Sequence, residues 1–268
     1  MSGTAVELVF RREGSVVLAA LLLLSLLAWL FLLAGAGTGM DAVAMSGWFM
    51  PLGLPASLSS DWSLLYWLIA FCMWVVMMVA MMLPSASPTV LLYANVVQHA
   101  ERRSRGSRAA ASIAAFACGY FSLWILFSLL AVVAQWALEQ LGAMSAMMSL
   151  RGALLAGGVL IAAGLYQLTP LKTACLRHCR GPAQFIAAHW RPGVLGAWRM
   201  GLTHGLYCLG CCAALMLLLF VGGVMNLVWI AGLTLLVAIE KLAPFGAVTA
   251  KVLGALLVCA GLALIATG

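Results

Sequence analysis

Charged residues are scarce in this chain: they make up only 8% of its 268 residues, and just seven residues are acidic. A soluble domain of this length carries charge on roughly a quarter of its residues. Since 65% of the residues are hydrophobic and the mean hydropathy is +1.12, the chain cannot cover itself with polar surface. It is therefore predicted to be an integral membrane protein in contact with the lipid bilayer. Its net charge of +7 then reports topology and is no argument for nucleic-acid binding.

The shortage of carboxylates also excludes several kinds of chemistry. Hard metals such as Mg²⁺ prefer oxygen ligands, which are nearly missing from the apolar segments. No phosphate loop, carboxylate pair or serine–histidine arrangement is evident, and we expect the protein not to be an enzyme. Glu240 lies near the end of an apolar segment and precedes Lys241, so an internal ion pair is its expected role.

Long hydrophobic runs predict an all-α, polytopic transmembrane helix bundle. A membrane helix needs about 20 largely apolar residues. Seven segments meet this requirement, and six spans are the alternative. Residues 1–268 are expected to form a single integral membrane domain. The predicted spans are 16–36, 62–83, 109–134, 152–170, 201–221, 224–243 and 247–266. Segment 84–98 contains Pro84 and Pro88, and would either prolong the second helix after a kink or lie at the membrane interface.

The basic residues orient this predicted bundle. With a cytoplasmic N-terminus, all of the 14 Lys and Arg residues except Arg151 fall on the inner side, as the positive-inside rule requires. The outer segment 37–61 carries Asp41 and Asp61 instead. The first apolar run is longer than the hydrophobic region of a signal peptide, so it is predicted to be a retained helix. These features predict a multi-pass protein of the bacterial inner, or cytoplasmic, membrane.

Sulfur is plentiful, with eight cysteines and fifteen methionines. The densest stretch is GLTHGLYCLGCCAALM, residues Gly201–Met216. Helical spacing places one imidazole and three thiols along one face of this stretch. These residues are His204, Cys208, Cys211 and Cys212. Packing explains a lone cysteine such as Cys259 well, but it explains three thiols within five residues poorly, so a metal site is predicted.

A second sulfur-rich stretch is CMWVVMMVAMMLP, residues Cys72–Pro84. Met73, Met77 and Met81 are spaced four apart on one helix face, and Met78 flanks it. If the helix reaches the inner surface at Pro84, the rise of about 1.5 Å per residue puts Met77 and Met78 at the depth of Cys208. The methionines and the cysteines are therefore predicted to contribute ligands to the same ion.

A third cluster follows the fourth predicted span, in YQLTPLKTACLRHCR, residues Tyr166–Arg180. Cys175 and Cys179 lie four residues apart, so a helix would point both thiols the same way. Two interpretations stay open for them: they join the intramembrane site, or they form a separate docking point.

The softness of these ligands predicts the metal. Thiolates and thioethers in an apolar bundle favour Cu(I), and the surrounding methionines strengthen that preference. Zinc is the alternative, because His204 with Cys208, Cys211 and Cys212 would make a four-ligand set of the kind that zinc takes.

These three stretches, together with EKLAP at Glu240–Pro244, resemble a bacterial family of predicted metal-binding integral membrane proteins. The resemblance runs through nearly the whole chain and implies a copper-handling protein that supplies copper to copper-dependent oxidases. It implies a membrane metallochaperone rather than a catalyst, with a copper-dependent oxidase or a soluble copper carrier as partner. One departure is that Ala213 and Ala214 follow the double cysteine, where the family leads us to expect an aromatic residue.

Two other functions remain as alternatives at this point. A metal transporter or exporter would pass an ion along the helix from ligand to ligand, but the segment after Met216 offers no further ligand on that helix. A membrane thiol-disulfide oxidoreductase would cycle Cys175 with Cys179, or Cys208 with Cys211, as a disulfide. The predicted position of these thiols, inside the bilayer or on the reducing side, argues against it.

Overall fold

The computed structural model describes residues 3–36, 46, 62–104, 108–145 and 148–268, and within these ranges the backbone forms helices and no strand. The predicted outer segment 37–61, with Asp41 and Asp61, lies outside the described residues apart from Ser46. The helices are α1 (Gly3–Leu33), α2 (Leu64–Ser104), α3 (Ala109–Gln140), α4 (Ala153–Gln167), α5 (Pro170–Arg180), α6 (Pro182–His189), α7 (Gly193–Met216), α8 (Leu219–Gly222), α9 (Leu227–Leu242) and α10 (Gly246–Thr267).

Several of these helices are long and apolar enough to cross a membrane. Within the described residues, five segments qualify, and the bent pair α4–α5 would make a sixth. The qualifying segments are Ser15–Leu33, Leu64–Ala100, Ala109–Gln140, Gly193–Gly222 and Gly246–Thr267. Helix α9, with 16 residues, is shorter than the usual span of about 20. The predicted helical bundle is confirmed, whereas the count of seven spans remains a prediction.

Helix α2 continues through both of its prolines. The N–H that Pro88 lacks would have bonded the carbonyl of Pro84, and the Ser87 hydroxyl donates to that carbonyl instead, at 2.8 Å. The Ser85 hydroxyl donates to the Met82 carbonyl at 3.0 Å. Segment 84–98 therefore prolongs the second helix, and its placement as a separate interfacial segment is wrong.

Helices α3 and α7 approach each other closely because glycines line their contact. A Cβ atom on Gly201 would overlap the carbonyl oxygen of Phe116, and one on Gly119 would overlap that of Trp198. Gly205 lies one turn beyond Gly201, which gives α7 the spacing of small residues that lets membrane helices meet backbone to backbone. Helices α4 and α10 pack against each other through glycines in the same way.

The predicted fourth span, 152–170, corresponds to α4, and α5 follows it after a bend. Helices α4 and α5 are bent by 65° relative to each other, at a break that precedes Pro170. The side chain of Thr169 caps α5 by accepting a hydrogen bond from the Lys172 backbone N–H at 3.2 Å. This bend turns α5 toward α7, which brings the cysteines of α5 to those of α7.

Candidate metal site

Three thiols of α7 form the centre of the site. Cys208, Cys211 and Cys212 are each 1% exposed, and their sulfur atoms all lie within 4.8 Å of one another. The Cys211 and Cys212 sulfurs are 3.2 Å apart. Two sulfurs bound to one ion through bonds of about 2.3 Å lie at most about 4.6 Å apart. The three thiols are thus close to the spacing that a shared metal ion requires.

Helix α5 adds a fourth thiol to this group. The sulfur of Cys179 lies 3.7 Å from that of Cys211, and the Cys179 side chain is buried. Cys175 is half-buried and lies against Gly210, on which a Cβ atom would come 2.7 Å from the Cys175 sulfur. The structure therefore brings Cys179 to the cluster of α7 and leaves Cys175 outside the three-thiol group.

His204, one turn before Cys208, lies in an aromatic pocket. Its ring is 5.0 Å from that of Phe185 and 5.6 Å from that of Tyr120, measured between centroids. The imidazole is only 3% exposed, and its Nδ1 has no hydrogen-bond partner within the described part of the chain. His204 is not one of the residues whose ligand atoms group within 4.8 Å, so its role as a ligand remains a prediction.

The sulfur of Cys208 is held by two polar side chains from other helices. Lys241 of α9 donates to it from Nζ at 3.0 Å, and the Tyr120 hydroxyl of α3 lies 3.0 Å from it. All three residues are buried. An ammonium group at this distance stabilises negative charge on sulfur, which is the form in which a thiol binds a metal.

A buried ion pair lies directly behind the thiols. Lys172 Nζ is 2.6 Å from Glu240 Oε2, and Gln167 donates to the other carboxylate oxygen at 2.7 Å. Lys172 also donates to the backbone carbonyl of Cys211. The expected internal ion pair of Glu240 is therefore confirmed, and its partner is Lys172 of α5 rather than the adjacent Lys241.

The same contacts correct part of the orientation argument. Lys172 and Lys241 belong to the predicted inner segments, yet their side chains are only 1% and 6% exposed. Both side chains form contacts inside the bundle, so they are not loop charges of the kind on which the positive-inside rule rests.

Two contacts set the register between α2 and α7. Lys241 Nζ donates to Ser85 Oγ at 3.0 Å as well as to Cys208, so Ser85 of α2 is level with Cys208 of α7. Further along, the rings of Trp74 on α2 and Phe220 on α8 are 5.3 Å apart. Trp74 and Ser85 are eleven residues apart on α2, and Cys208 and Phe220 are twelve residues apart on α7–α8. The two stretches therefore run antiparallel with a similar rise between the two contacts.

This register places the α2 methionines nearer to the Trp74–Phe220 contact than the sequence predicts. Met81 is level with Cys212, and Met78 is level with Met216, one turn beyond the cysteines. The expected alignment of Met77 with Cys208 is wrong by about two helical turns. The predicted methionine ligands are nonetheless all 0% exposed and share one hydrophobic cluster with the three thiols. They are Met73, Met77, Met78 and Met81.

A family model described as PpoB2, copper chaperone, matches residues 71–264. The chain belongs to the PpoB2 copper chaperone family. No curated protein and no solved structure matches the chain. The resemblance to a copper-handling family is thereby confirmed, and the description implies a non-catalytic protein that serves a copper-dependent partner. The matched range contains every candidate ligand as well as Lys241.

Sequence reasoning missed the polar residues that frame the thiols of this PpoB2 family member. Tyr120, Lys172 and Lys241 come from three different helices, and each reaches α7 from a distance of 33 to 88 residues along the chain. The only local signal was that Lys172 and Lys241 lie at the ends of apolar segments and that a single acidic residue, Glu240, lies beside one of them.

Proposed function

We propose that this protein binds Cu(I) as cargo at Cys208, Cys211 and Cys212, with Cys179 as a fourth thiol, and delivers it to a partner copper enzyme. The observation that supports this most is the group of three buried thiols within 4.8 Å of one another, in a chain of the copper chaperone family. Cu(I) favours sulfur ligands and accepts a small number of them, so three or four thiols suffice.

The surroundings of the thiols favour Cu(I) over zinc. Zinc would have to take Cys179 as its fourth ligand, because His204 does not join the three-thiol group, and four thiolates on Zn(II) would leave two net negative charges. Two thiolates bound to Cu(I) leave one net negative charge, which the ammonium of Lys241 would balance at 3.0 Å from Cys208. A neutral overall site is the arrangement that an apolar bundle tolerates best.

The remaining predicted ligands differ in how close they lie to the three thiols. Met81, level with Cys212, is the α2 methionine best placed to add a thioether to the thiol site. Met78, Met77 and Met73 follow at increasing distance along α2, and His204 lies one turn on the other side. Cys175 would receive or pass on the ion at the edge of the cluster rather than hold it.

We place this site in a single integral membrane domain, residues 1–268, of the bacterial inner membrane. The arrangement proposed is seven spans, with α9 as a short span and the N-terminus in the cytoplasm. Exposed leucines along α1, such as Leu22 and Leu26, support contact with lipid. The partner would be a copper-dependent oxidase or a soluble copper carrier, and the protein itself would catalyse no reaction.

Copper binding by the purified protein tests the proposal, with a control that removes the same number of thiols. The site variant replaces Cys208, Cys211 and Cys212 with Ser. The control variant replaces Cys72, Cys118 and Cys259, which are exposed cysteines on three other helices. Each detergent-purified protein is loaded with Cu(I), challenged with bathocuproine disulfonate and measured by elemental analysis.

Wild type and the control should retain copper, and the site variant should lose it. Equal retention by the site variant would disprove the proposed site. Equal loss by wild type would disprove copper binding altogether, and retention of zinc in place of copper after loading with both metals would assign the site to zinc.

A further inference from the structure

A line of buried methionines continues from the thiol site toward the opposite end of the bundle. We call Met81, Met78, Met216 and Met148 the methionine column. The first three are 0% exposed and the last is 8% exposed. They come from α2, α7 and the segment before α4, so no single stretch of sequence displays the line.

The α2 members of the methionine column share one helix face with the two register anchors. Trp74, Met78, Met81 and Ser85 are spaced by four, three and four residues, which is the repeat of one helical stripe. Since Trp74 and Ser85 contact the α7–α8 and α9 side of the bundle, Met78 and Met81 face the same way. Met216 continues the four-residue spacing of Cys208 and Cys212 on α7.

Met148 extends the column by one further turn. The side chain of Gln135 accepts a hydrogen bond from Trp74 Nε1 at 2.9 Å and donates to the Met148 sulfur at 3.9 Å. Two residues on, the Leu150 N–H donates to the Phe220 carbonyl at 2.7 Å, which ties this segment to the level of Phe220. Met148 also has a φ of 53°, a left-handed conformation that a residue other than glycine rarely adopts.

The far end of the column is marked by a carboxylate. Gln135 also donates to Glu139 Oε1 at 3.1 Å, and Trp62 donates to Glu139 Oε2 at 2.9 Å. Between the level of Lys241 and the level of Glu139, the described stretches 71–84 and 205–222 contain no charged residue. On these two stretches, an ion between the two levels meets neutral side chains, the thioethers among them.

We propose that the methionine column is a thioether path along which Cu(I) moves between the thiol site and the Glu139 end of the bundle. This inference rests on the proposed function, since it takes Cu(I) at the cysteines as its starting point. Thioethers are soft and uncharged, so they select Cu(I) over hard ions and bind it more weakly than thiolates do. Weak binding at successive positions is what movement of an ion requires.

The transfer is a ligand exchange without oxidation or reduction. A copper–thiolate bond to Cys212 breaks as a copper–thioether bond to Met81 or Met216 forms, and copper remains Cu(I) throughout. The negative charge left on the thiol cluster stays next to the Lys241 ammonium, which lies 3.0 Å from Cys208. One proton from water replaces the departing Cu(I) on a thiolate, because the Lys241 ammonium balances only one of the two thiolates, and no electron is exchanged.

Release of copper at one end of the bundle tests this path. Right-side-out and inverted bacterial membrane vesicles that contain the protein expose one end each to the medium. They are loaded with Cu(I), washed and mixed with the membrane-impermeant chelator bathocuproine disulfonate, whose absorbance reports released Cu(I). Vesicles without the protein supply the blank. The test variant is Met78→Leu with Met216→Leu, which keeps side-chain volume and removes the sulfur.

A matched control is available on the same two helices. Met82→Leu with Met200→Leu also exchanges two buried methionines, one on α2 and one on α7, neither of them in the column. We expect the test variant to load as much copper as wild type but to release it at the Glu139 end at least tenfold more slowly. The control should load and release like wild type.

Unchanged copper release by the test variant would overturn the path, and so would equal slowing by the control. Either result would mean that the methionines of the column only fill space in the core. Failure of the proposed function has a different signature, because the loaded amount of copper would then be the same with and without Cys208, Cys211 and Cys212. Loading reports the thiol site, and the release rate reports the path.

Discussion

Helix α7 meets its neighbours in two contrasting ways. Its contact with α3 is made by Gly201 and Gly205, where the two backbones touch and a single added carbon has no room. Its contact with α5 and α9 is made by thiols, long side chains and hydrogen bonds, and the buried methionines of α2 share one hydrophobic cluster with its thiols. The first contact fixes the position of α7, and the second leaves flexible sulfur groups free to adjust around an ion. A rigid side and an adaptable side on one helix suit a site that has to bind and release a metal.

Breaking the glycine contact should have the largest effect. Gly201→Val places side-chain carbons on the Phe116 carbonyl, so α3 and α7 have to separate, and we expect no folded protein to survive detergent extraction. Gly232→Val on α9 is the control, because a Cβ atom there meets nothing within 4 Å. Size-exclusion profiles and thermal unfolding compare the two, and an equally well-folded Gly201 variant would contradict the close contact.

Breaking the ion pair behind the thiols should have the next largest effect. Lys172→Met leaves the buried carboxylate of Glu240 without its cation, which costs about 3–5 kcal/mol in the free energy of unfolding. Adding Glu240→Gln removes the unpaired charge, so the double variant should recover part of that loss. Unfolding in detergent measures both, and a double variant less stable than Lys172→Met alone would show that the pair is not the unit of stability.

Removing the fourth thiol should alter copper binding without disturbing the fold. Cys179→Ser replaces the sulfur that lies 3.7 Å from that of Cys211, and we expect the Cu(I) dissociation constant to rise about tenfold, or about 1.4 kcal/mol. Cys175→Ser is matched in helix and chemistry but lies outside the three-thiol group, so it should change the constant less. Competition with a Cu(I) chelator gives both values, and a larger effect at Cys175 would reverse the assignment.

Replacing a single thioether should give the smallest effect. Met81→Leu conserves volume, so the loss of stability should stay below about 1.5 kcal/mol. Cu(I) affinity should fall by less than about tenfold, because the thiols remain in place. The same chelator competition and thermal unfolding measure the two quantities. A loss of stability larger than that of Lys172→Met would mean that the methionine side of α7 is as rigid as the glycine side.

Much of the helical architecture and the thiol cluster could be predicted from local pattern. The run of apolar residues gave each membrane-sized helix, and the spacing of Cys208, Cys211 and Cys212 gave their common face. The depth of the methionines could not be obtained that way. The predicted depth depends on Pro84 as the end of the second span, whereas α2 runs on to Ser104 and Ser87 fills the hydrogen-bond gap that Pro88 leaves. The position of a ligand along a bundle depends on where a partner helix contacts it, and that contact is not local.

The polar contacts around the thiols could not be predicted from the sequence for a related reason. Lys172 and Glu240 are 68 residues apart, and Lys241 reaches Cys208 from 33 residues away. A buried charge needs its partner in three dimensions, and a sequence shows only that the charge is present near an apolar segment. Basic residues near span ends therefore carry two meanings, and only the fold separates a topological signal from a structural one.

The pairing of Lys172 with Glu240 also bears on the order in which the protein is made. All the thiols of the proposed site, from Cys179 to Cys212, leave the ribosome before Glu240 and Lys241 do. Until α9 arrives, Lys172 has no counterion and Cys208 has no ammonium beside it. The growing chain thus carries its cysteines into the membrane in an unfinished arrangement, and the site reaches its final form only when synthesis has passed Lys241.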